Sequence, residues 1–446
     1  MKIVIAGAGD VGFHLAELLA TENQDIVLID NDQDVLDYAG SHLDVLTVRG
    51  DATSLATLEN ARVGNADLLL AVTTSEQTNM MAAILSKKLG AGRVIARVDN
   101  EEYLEGDNQQ TICSLGIDQL ISPRQLAAIE IERLVKKCSF TDIYEFEDGK
   151  LSLVGITLDS NSPLVGAKLE EIEGLDERDQ LQLIAILRGH QTLIPRGQTE
   201  LRRNDHIYFI TRPEHTRKVE KFVGKQAVKV TNAMIMGGTD LAIATARRLQ
   251  KHYQVTIVEN DKERCKLITE MLDNVLVIKG DYRNFDLLEE EGLSRMDAFM
   301  ALTENSETNI IACLTAHNHG VYKTIAQVEN KEYVHISQNI GVDTLINKKL
   351  LAANDIFRYV RKGNVEAITS LQGVDAEVIE FVIRKSNQLT RKPLRDLHFP
   401  DTALIGGIIR GEETIIPNGS SQLQLDDRVI VFAKPQAIRR LEELFR

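Results

Sequence analysis

The 446-residue sequence predicts an α/β fold in which two doubly wound parallel-sheet domains are each followed by a small α+β domain. Three observations predict this arrangement. The chain contains an internal repeat, the first part of each half alternates buried apolar runs with amphipathic stretches, and the second part has short strands between Pro and Gly turns. The chain is therefore expected to be a tandem duplication of a two-domain unit.

The repeat is clearest in the first part of each half. Gly50-Asp51 recurs as Gly280-Asp281, which is 230 residues later, and Ile95-Ala96-Arg97 recurs as Ile325-Ala326-Gln327 at the same offset. The later parts also match, and the two halves join near 225–229. The predicted domains are Rossmann-like over residues 1–138 and 229–365, and small and α+β over residues 139–225 and 366–446.

Short apolar runs predict the parallel strands of the first domain. These runs are Lys2–Ala6, Asp25–Ile29, Val45–Val48, Asp67–Val72 and Val94–Val98. Helical patterns lie between them, including Val11–Glu22 and Glu76–Leu89. A further helix over Pro123–Lys137 is either a connecting or docking helix or the last core helix of the first domain, and the pattern leaves both open.

A glycine-rich turn follows the first predicted strand. Gly7-Ala8-Gly9-Asp10-Val11-Gly12 has the form G-x-G-x-x-G and opens a helix, and Asp30 ends the next strand 23 residues after Gly7. These glycines permit the tight turn, the approach of a pyrophosphate and close helix–strand packing, while the helix N-terminus attracts phosphate. The Asp30 carboxylate can accept ribose hydroxyls and would repel a 2′-phosphate, so NAD, NADH or an adenine nucleotide such as ATP or ADP is favoured over NADP.

The second half carries a degenerate copy of this motif, Gly237-Gly238-Thr239-Asp240-Leu241-Ala242, with Glu259 at the place of Asp30. A Thr side chain at the middle glycine position obstructs the approach of a ligand to the backbone. We therefore expect the second site to bind a nucleotide more weakly, to bind a different one, or to be vestigial.

Further candidate cofactor-binding residues follow the later strands of each half. Asp51, with Ala52 beside it, and Asp281 follow the third strand, where each can accept from an adenine amino group or instead cap the next helix. Others lie at the carboxyl edge of the sheet or one helical turn beyond it, namely Thr73, Thr74 and Asn79 in the first half and Thr303 and Asn309 in the second. Arg97 is the one cation expected near the phosphates, and its counterpart Gln327 is uncharged.

Composition excludes several classes of function. With 51 Lys and Arg against 66 Asp and Glu, the net charge of −15 opposes binding to nucleic acid or to an anionic membrane surface. No apolar run is long enough to span a bilayer and no signal peptide is evident, so a cytosolic location is expected. The four cysteines are scattered and form no metal-binding motif, so no metal site is predicted. No catalytic residue is predicted either, because the sequence offers no proton donor or acceptor in a substrate-binding domain.

These motifs closely resemble the nucleotide-binding domain, called RCK or KTN, that regulates potassium channels and transporters. The resemblance rests on the first glycine turn with Asp30, Gly50-Asp51-Ala52, Thr73 with Asn79, and Ile95-Ala96-Arg97. It covers nearly the whole chain, because the small domains are similar to the C-terminal companion of that domain. Two units in one chain are similar to the peripheral cytosolic subunit of bacterial potassium-uptake systems of the Trk type.

The resemblance implies a regulatory protein rather than an enzyme. It implies NAD(H) and adenine nucleotides as ligands and a potassium-translocating, TrkH-like integral membrane subunit as partner, which would hold the chain at the inner face of the membrane. It further implies a homo-oligomer, a tetramer whose four chains supply eight units. A regulator of potassium efflux is the main alternative, and an NAD-dependent oxidoreductase or a nucleotide-sensing transcription factor are remote ones.

Overall fold

The computed structural model describes the whole chain except residues 21–23, 148, 173–179, 190, 226–227, 331–332, 334–341, 358–364, 371–373 and 446, and it describes no side chain at 357 or 365–370. The chain divides into two compact units, of which the first comprises Met1–Ala127 with Asn347–Val360 and the second comprises Ala128–Ile346 with Arg361–Arg446. Parts of two predicted features, the end of helix Val11–Glu22 and the join at 225–229, lie outside the described residues. The bounds of the four predicted domains stay predictions.

The first unit contains a six-stranded parallel sheet. Its strands are β1 (Lys2–Ala6), β2 (Asp25–Asp30), β3 (Leu46–Arg49), β4 (Leu68–Ala71), β5 (Arg93–Arg97) and β6 (Gln119–Ile121). The order β3-β2-β1-β4-β5-β6 places a switch point between β1 and β4, because the chain leaves β1 in one direction for β2 and returns on its other side for β4. Ligands of such sheets bind at the carboxyl ends of the strands beside this point.

The helices of the first half alternate with these strands along the chain. They are α1 (Asp10–Ala20), α2 (Gln33–His42), α3 (Leu55–Asn60), α4 (Glu76–Leu89), α5 (Gly106–Ser114) and α6 (Pro123–Lys136), with 3-10 turns at Val63–Asn65 and Glu101–Leu104. The strands between them form an apolar core: Ile3, Val4 and Ile5 of β1 are fully buried. The predicted doubly wound α/β architecture is confirmed, and β6 adds a strand that the apolar runs did not indicate.

The second unit repeats the parallel sheet. Its strands are β12 (Asn232–Met236), β13 (Gln254–Glu259), β14 (Val275–Lys279), β15 (Ala298–Ala301), β16 (Lys323–Gln327) and β17 (Thr344–Ile346), in the order β14-β13-β12-β15-β16-β17. Its helices are α8 (Asp240–Leu249), α9 (Lys262–Met271), α10 (Phe285–Glu290) and α11 (Ser306–Asn318), with a 3-10 turn at Leu293–Arg295. The switch point again lies between the first and fourth strands of the sheet, so the predicted duplication holds in three dimensions.

The second unit also contains two small antiparallel sheets. The first is β10-β9-β11-β8-β7, with β7 (Asp142–Phe146), β8 (Leu151–Thr157), β9 (Leu181–Arg188), β10 (Gln191–Leu193) and β11 (His206–Thr211). The second is β18-β19-β22-β20-β21, with β18 (Val365–Ser370), β19 (Glu377–Val382), β20 (Ala403–Arg410), β21 (Glu413–Ile415) and β22 (Arg428–Ala433). Short helices accompany them, namely α7 (Thr216–Val223), α13 (Gln388–Arg391) and α14 (Pro435–Phe445), with 3-10 turns at Leu169–Glu171, Pro213–His215 and Leu394–Asp396.

The two small sheets share one apolar core. Leu153, Ile184 and Ile210 of the first pack in the same cluster as Ile430 and Phe432 of the second. Because each sheet is hydrophobic on a face that it cannot bury alone, the pair completes a single core. The predicted small α+β domains are therefore present, and they are joined to each other.

Two helices belong to a different compact unit from the parallel sheet that precedes them in the sequence. From Ala128 onward α6 belongs to the second unit, where Ile131 and Leu134 are buried and Glu132 Oε2 accepts from Arg248 Nε at 2.5 Å. Helix α12 (Lys348–Phe357), which follows the second parallel sheet in the chain, packs against α1 in the first unit. Of the two alternatives for the helix after Pro123, the connecting helix is therefore the one observed.

Among the described residues, the longest and most apolar helices still fall short of what a membrane crossing requires.

Candidate nucleotide-binding sites

The first glycine turn lies at the switch point of the first sheet. Gly7 has a φ of 103°, which favours glycine, and a Cβ there would lie 2.8 Å from the backbone nitrogen of Thr73. A Cβ on Gly12 would lie 1.8 Å from the Gly7 carbonyl oxygen, whereas a Cβ on Gly9 would meet no atom within 4 Å. Two glycines are therefore required by the fold, and the third faces open space where a ligand can approach the backbone.

Asp30 holds this turn against the end of β2. Its Oδ2 accepts from the Ala8 backbone nitrogen at 2.7 Å, and its Oδ1 accepts from the Asp32 backbone nitrogen at 3.0 Å. Each oxygen makes one of these bonds and has a further lone pair, and the residue is only partly buried. The carboxylate is thus fixed beside the glycine turn with capacity to accept hydroxyl groups.

The second glycine turn keeps this arrangement with a longer acid. Gly237 has a φ of 94°, and Glu259 Oε2 accepts from the Gly238 backbone nitrogen at 2.5 Å while Oε1 accepts from Asp261 at 2.8 Å. A Cβ on Gly238 would lie 2.9 Å from Glu259 Oε2. The extra methylene of Glu259 is therefore accommodated by a glycine where the first half has Ala8.

The side chain of Thr239 is directed into the fold at the second turn. Its Oγ1 donates to the Leu302 carbonyl at 2.7 Å and accepts from the Ala242 backbone nitrogen at 3.3 Å, so Thr239 caps α8. Arg264 from α9 covers the same turn: its Nε donates to the Gly238 carbonyl at 2.7 Å, and its Nη2 bonds the Asp240 carboxylate. The Thr239 side chain thus stands where the first half has Gly9, and Arg264 adds a contact to the Gly238 carbonyl.

Asn79 and Asn309 form matching polar brackets at the two switch points. Asn79 is 1% exposed, and its Oδ1 accepts from the Thr73 backbone nitrogen at 2.8 Å and from Thr73 Oγ1 at 2.7 Å. Its Nδ2 donates to the carbonyls of Thr73 and Arg97, both at 3.0 Å. Asn309 makes the same four bonds with Thr303 and Gln327, at 2.6–3.1 Å. Both asparagines therefore fix the strand ends that border the sites.

Arg97 and Gln327 occupy equivalent positions beside these brackets. Arg97 Nη2 lies 3.5 Å from Asp99 Oδ2, and its Nε is buried with no hydrogen-bond partner among the described residues. Gln327 Nε2 donates to Glu329 Oε1 at 3.1 Å. The first site therefore retains a cation with an unused donor where the second has a neutral amide.

Asp51 and Asp281 close tight turns after the third strands. Asp51 Oδ1 accepts from the backbone nitrogen and the hydroxyl of Thr53, both at 2.8 Å, and these bonds lower the pKa of its carboxyl. Asp281 is bonded on both oxygens by the Arg283 side chain at 3.0 Å, which lowers its pKa. The alternative that they are N-caps is wrong, because the helix N-caps are Ser54 and Asn284.

The remaining predicted residues differ in exposure. Thr74 and Asp10 are exposed at the edge of the first site, whereas Ala52, Val11 and Leu241 are buried apolar residues that offer a ligand only their backbone. No cluster of His, Cys, Asp and Glu suited to a metal ion occurs among the residues that the structure describes.

Lys349 is a cation of the first site that sequence reasoning missed. Its Nζ lies 2.5 Å from Asp10 Oδ2, across a separation of 339 residues. Arg97 is therefore not the one cation at this turn, and the expectation was wrong because α12 reaches α1 only in the folded chain. The repeat offers a partial signal, since Lys349 follows the second parallel sheet where Arg124 follows the first.

Comparison with known families and structures agrees with this architecture. The TrkA-N domain matches residues 3–123 and 233–348, and the TrkA-C domain matches residues 153–224 and 378–446. A Trk system potassium uptake protein TrkA homolog from Archaeoglobus fulgidus is 33% identical over the full length of both chains. The Trk system potassium uptake protein TrkA of Halomonas elongata is 32% identical over all of this chain and 99% of its own.

Solved structures share the fold at lower identity. The crystal structure of the GsuK RCK domain has a TM-score of 0.61 and 17% identity, covering all of this chain and 94% of its own. The GsuK channel bound to NAD has a TM-score of 0.60 and 16% identity, covering all of this chain and 78% of its own. The expectation of a regulatory protein rather than an enzyme agrees with the full-length match to relatives named for potassium uptake. The chain belongs to the TrkA family, as a tandem repeat of TrkA-N and TrkA-C domains.

Proposed function

We propose that this chain is a regulatory subunit that binds NAD(H) and adenine nucleotides and transmits their binding to a potassium-translocating membrane partner. The observation that carries the proposal is the first glycine turn, where Asp30 is held beside Ala8 and the space over Gly9 is open. A ribose at Asp30 and phosphates over α1 fit this geometry.

Each predicted residue has a role in this proposal. The backbone of residues 7–12 binds the phosphates, Asp30 accepts the ribose hydroxyls, and the adenine lies near Asp51 and Ala52. Thr73, Thr74 and Arg97 border the phosphate side, while Asn79 holds that border in place. The equivalents in the second half are residues 237–241, Glu259, Asp281, Thr303 and Asn309. One structural neighbour, the GsuK channel bound to NAD, supports this class of ligand.

The two sites are proposed to be unequal. Thr239 caps the N-terminus of α8 and Arg264 Nε donates to the Gly238 carbonyl, so a ligand of the second turn meets a side chain where the first turn has the open space at Gly9. The first site is therefore the tighter one, and its carboxylate favours NADH over NADPH because a 2′-phosphate beside Asp30 would be repelled.

The membrane partner is proposed from the relatives, which are named for Trk potassium uptake and match over the full length. We expect a TrkH-like integral membrane subunit, a tetramer of this chain and a location at the inner face of the membrane. A nucleotide can shift such an assembly only by the difference between its affinities for two conformations.

The test is calorimetric titration of the purified chain with NADH, NADPH, ATP and ADP. Wild type should bind NADH and adenine nucleotides without oxidising NADH, Asp30→Ala should abolish the tighter phase, and Glu259→Ala should abolish the weaker one. Equal affinity for NADH and NADPH would contradict the role of Asp30. Failure of every nucleotide to bind would reject the proposal.

A further inference from the structure

The N-terminus of α1 carries a carboxylate where the proposed ligand would place a phosphate. Asp10 is the first residue of α1, it follows Gly9 directly, and its side chain is 73% exposed. The Lys349 ammonium bonds its Oδ2. An acid at this position suits the helix dipole in the free chain, but it would repel a phosphate bound over the same turn.

In the second half a different cation bonds the equivalent acid. Asp240 is equivalent to Asp10, and there the partner is Arg264 on α9 of the same parallel-sheet domain. The residue 230 positions before Arg264 is Asp34, an acid, so α2 supplies no cation to the first turn. The first turn receives its cation from α12 instead, which packs on α1.

We propose that Lys349 is a phosphate-binding residue of the first glycine turn, held by Asp10 in the free chain and transferred to a phosphate of the ligand on binding. This inference rests on the proposed function. An ammonium on a four-carbon side chain can turn from one anion to another nearby, and Gly9 leaves the space beside it open. Asp10 and the ligand thus compete for one cation.

This exchange makes the affinity of the first site depend on phosphate, and it couples ligand binding to the contact between α12 and α1. Affinity depends on the phosphates of the ligand, because adenosine offers nothing to Lys349. Phosphate binding also changes the contact between α12 and α1, two helices that are more than three hundred residues apart in sequence, as the 339-residue separation of Lys349 and Asp10 shows. Occupancy of the first site is therefore transmitted to α12, whereas Arg264 transmits occupancy of the second site only to α9.

The experiment titrates the full chain in a Glu259→Ala background, which leaves the first site alone, with adenosine, AMP, ADP, ATP and NADH. Lys349→Ala is expected to weaken the four phosphate-containing ligands about tenfold, the size of a charge-assisted hydrogen bond, and to leave adenosine unchanged. Lys349→Arg should retain most of the affinity. The loss should shrink at high salt, because the interaction is partly exposed.

The Asp10→Asn variant distinguishes a direct contact between Lys349 and the phosphate from an indirect effect in which Lys349 only neutralises the charge of Asp10. In that background Lys349→Ala should still weaken ADP and ATP; no effect there would overturn the proposal, because Lys349 would then act only on Asp10. Equal weakening of adenosine, with a lowered melting temperature, would also overturn it by making Lys349 structural. Tight binding of ADP that is unaffected by Lys349→Ala would reject this inference alone, whereas no binding by the parent chain would reject the proposed function with it.

Discussion

Gly238 and Glu259 form a matched pair, and exchanging either residue for its counterpart in the first half is expected to disturb the second site. A Cβ on Gly238 would lie 2.9 Å from Glu259 Oε2 and 2.6 Å from Ile268 Cδ1. The first half combines Ala8 with the shorter Asp30, and the same backbone-to-carboxylate bond forms at 2.7 Å. Each acid length therefore requires its own residue in the glycine turn.

The expected magnitude follows from the atoms that must move. The three atoms nearest to the new Cβ all belong to side chains, Ile268 Cδ1 at 2.6 Å and Glu259 Oε2 and Cγ at 2.9 and 3.1 Å, so Gly238→Ala displaces these side chains without unfolding the turn. The displacement breaks the 2.5 Å bond from Gly238 to Glu259 Oε2. A hydrogen bond to a charged group contributes about 2 kcal/mol, which corresponds to roughly 30-fold in nucleotide affinity. Glu259→Asp alone withdraws the carboxylate from Gly238 and should cost a similar amount.

The assay is calorimetric titration of the full chain in an Asp30→Ala background, so that only the second site responds. Gly238→Ala and Glu259→Asp should each weaken ADP binding, and the double variant, which recreates the combination of the first half, should recover most of the loss. Such recovery is a coupling between neighbouring residues that independent sites do not show. Additive losses in the double variant, or an unchanged affinity in Gly238→Ala, would refute the reasoning.

Two further predictions concern the framework. Asn79→Ala removes four hydrogen bonds of a buried side chain, so we expect a loss of about 3–4 kcal/mol of stability and faster amide exchange at the ends of β4 and β5. Wild-type amide protection in that variant would contradict the role of Asn79 in holding these strand ends. Lys323 is buried, donates to the Phe140 carbonyl and Thr344 Oγ1, and has its pKa lowered to about 8 by burial. Because the unfolded lysine keeps its proton up to about pH 10.5, the contribution of Lys323 to the free energy of unfolding should rise by about 3 kcal/mol from pH 8 to pH 10.5. Lys323→Met should remove this rise from the melting temperature measured against pH, and an identical pH profile in the variant would contradict it.

The parallel sheets could be predicted closely because their signal is local. The five predicted strands of the first sheet lie within one residue of the observed β1 to β5 at either end, since each is a short apolar run between turn residues. The glycine turns and their acids were found for the same reason. Spacing along the chain is enough to place Asp30 beside Ala8 once the strand–turn–helix order is recognised.

The units to which α6 and α12 belong could not be predicted, because an amphipathic helix does not specify which sheet it covers. The apolar positions of α6 fit a core helix of the first domain as well as a docking helix, and only the contacts of Ile131 and Glu132 distinguish the two. Lys349 was missed as a consequence. Arg264 was also missed, since its reach to Asp240 depends on the packing of α9 beside the turn.

Comparison of the two halves distinguishes the polar contacts that both halves share from the residues that differ around the glycine turn. Some structural ion pairs recur in both halves with the same bonds. Arg188 binds Asp205 through two bonds of 2.7 Å, and Arg410 binds Asp427 through two bonds of 2.8 Å, with both aspartates almost fully buried.

Several residues around the glycine turn differ between the halves. The middle glycine Gly9 is replaced by Thr239, Arg97 by Gln327, and the cation that binds the first acid of the helix comes from α12 in one half and from α9 in the other. The length of Glu259 is compensated at Gly238, so the contact that holds the acid beside the turn is kept in both halves. This matching supports the proposal that the second turn is a second site, unequal to the first.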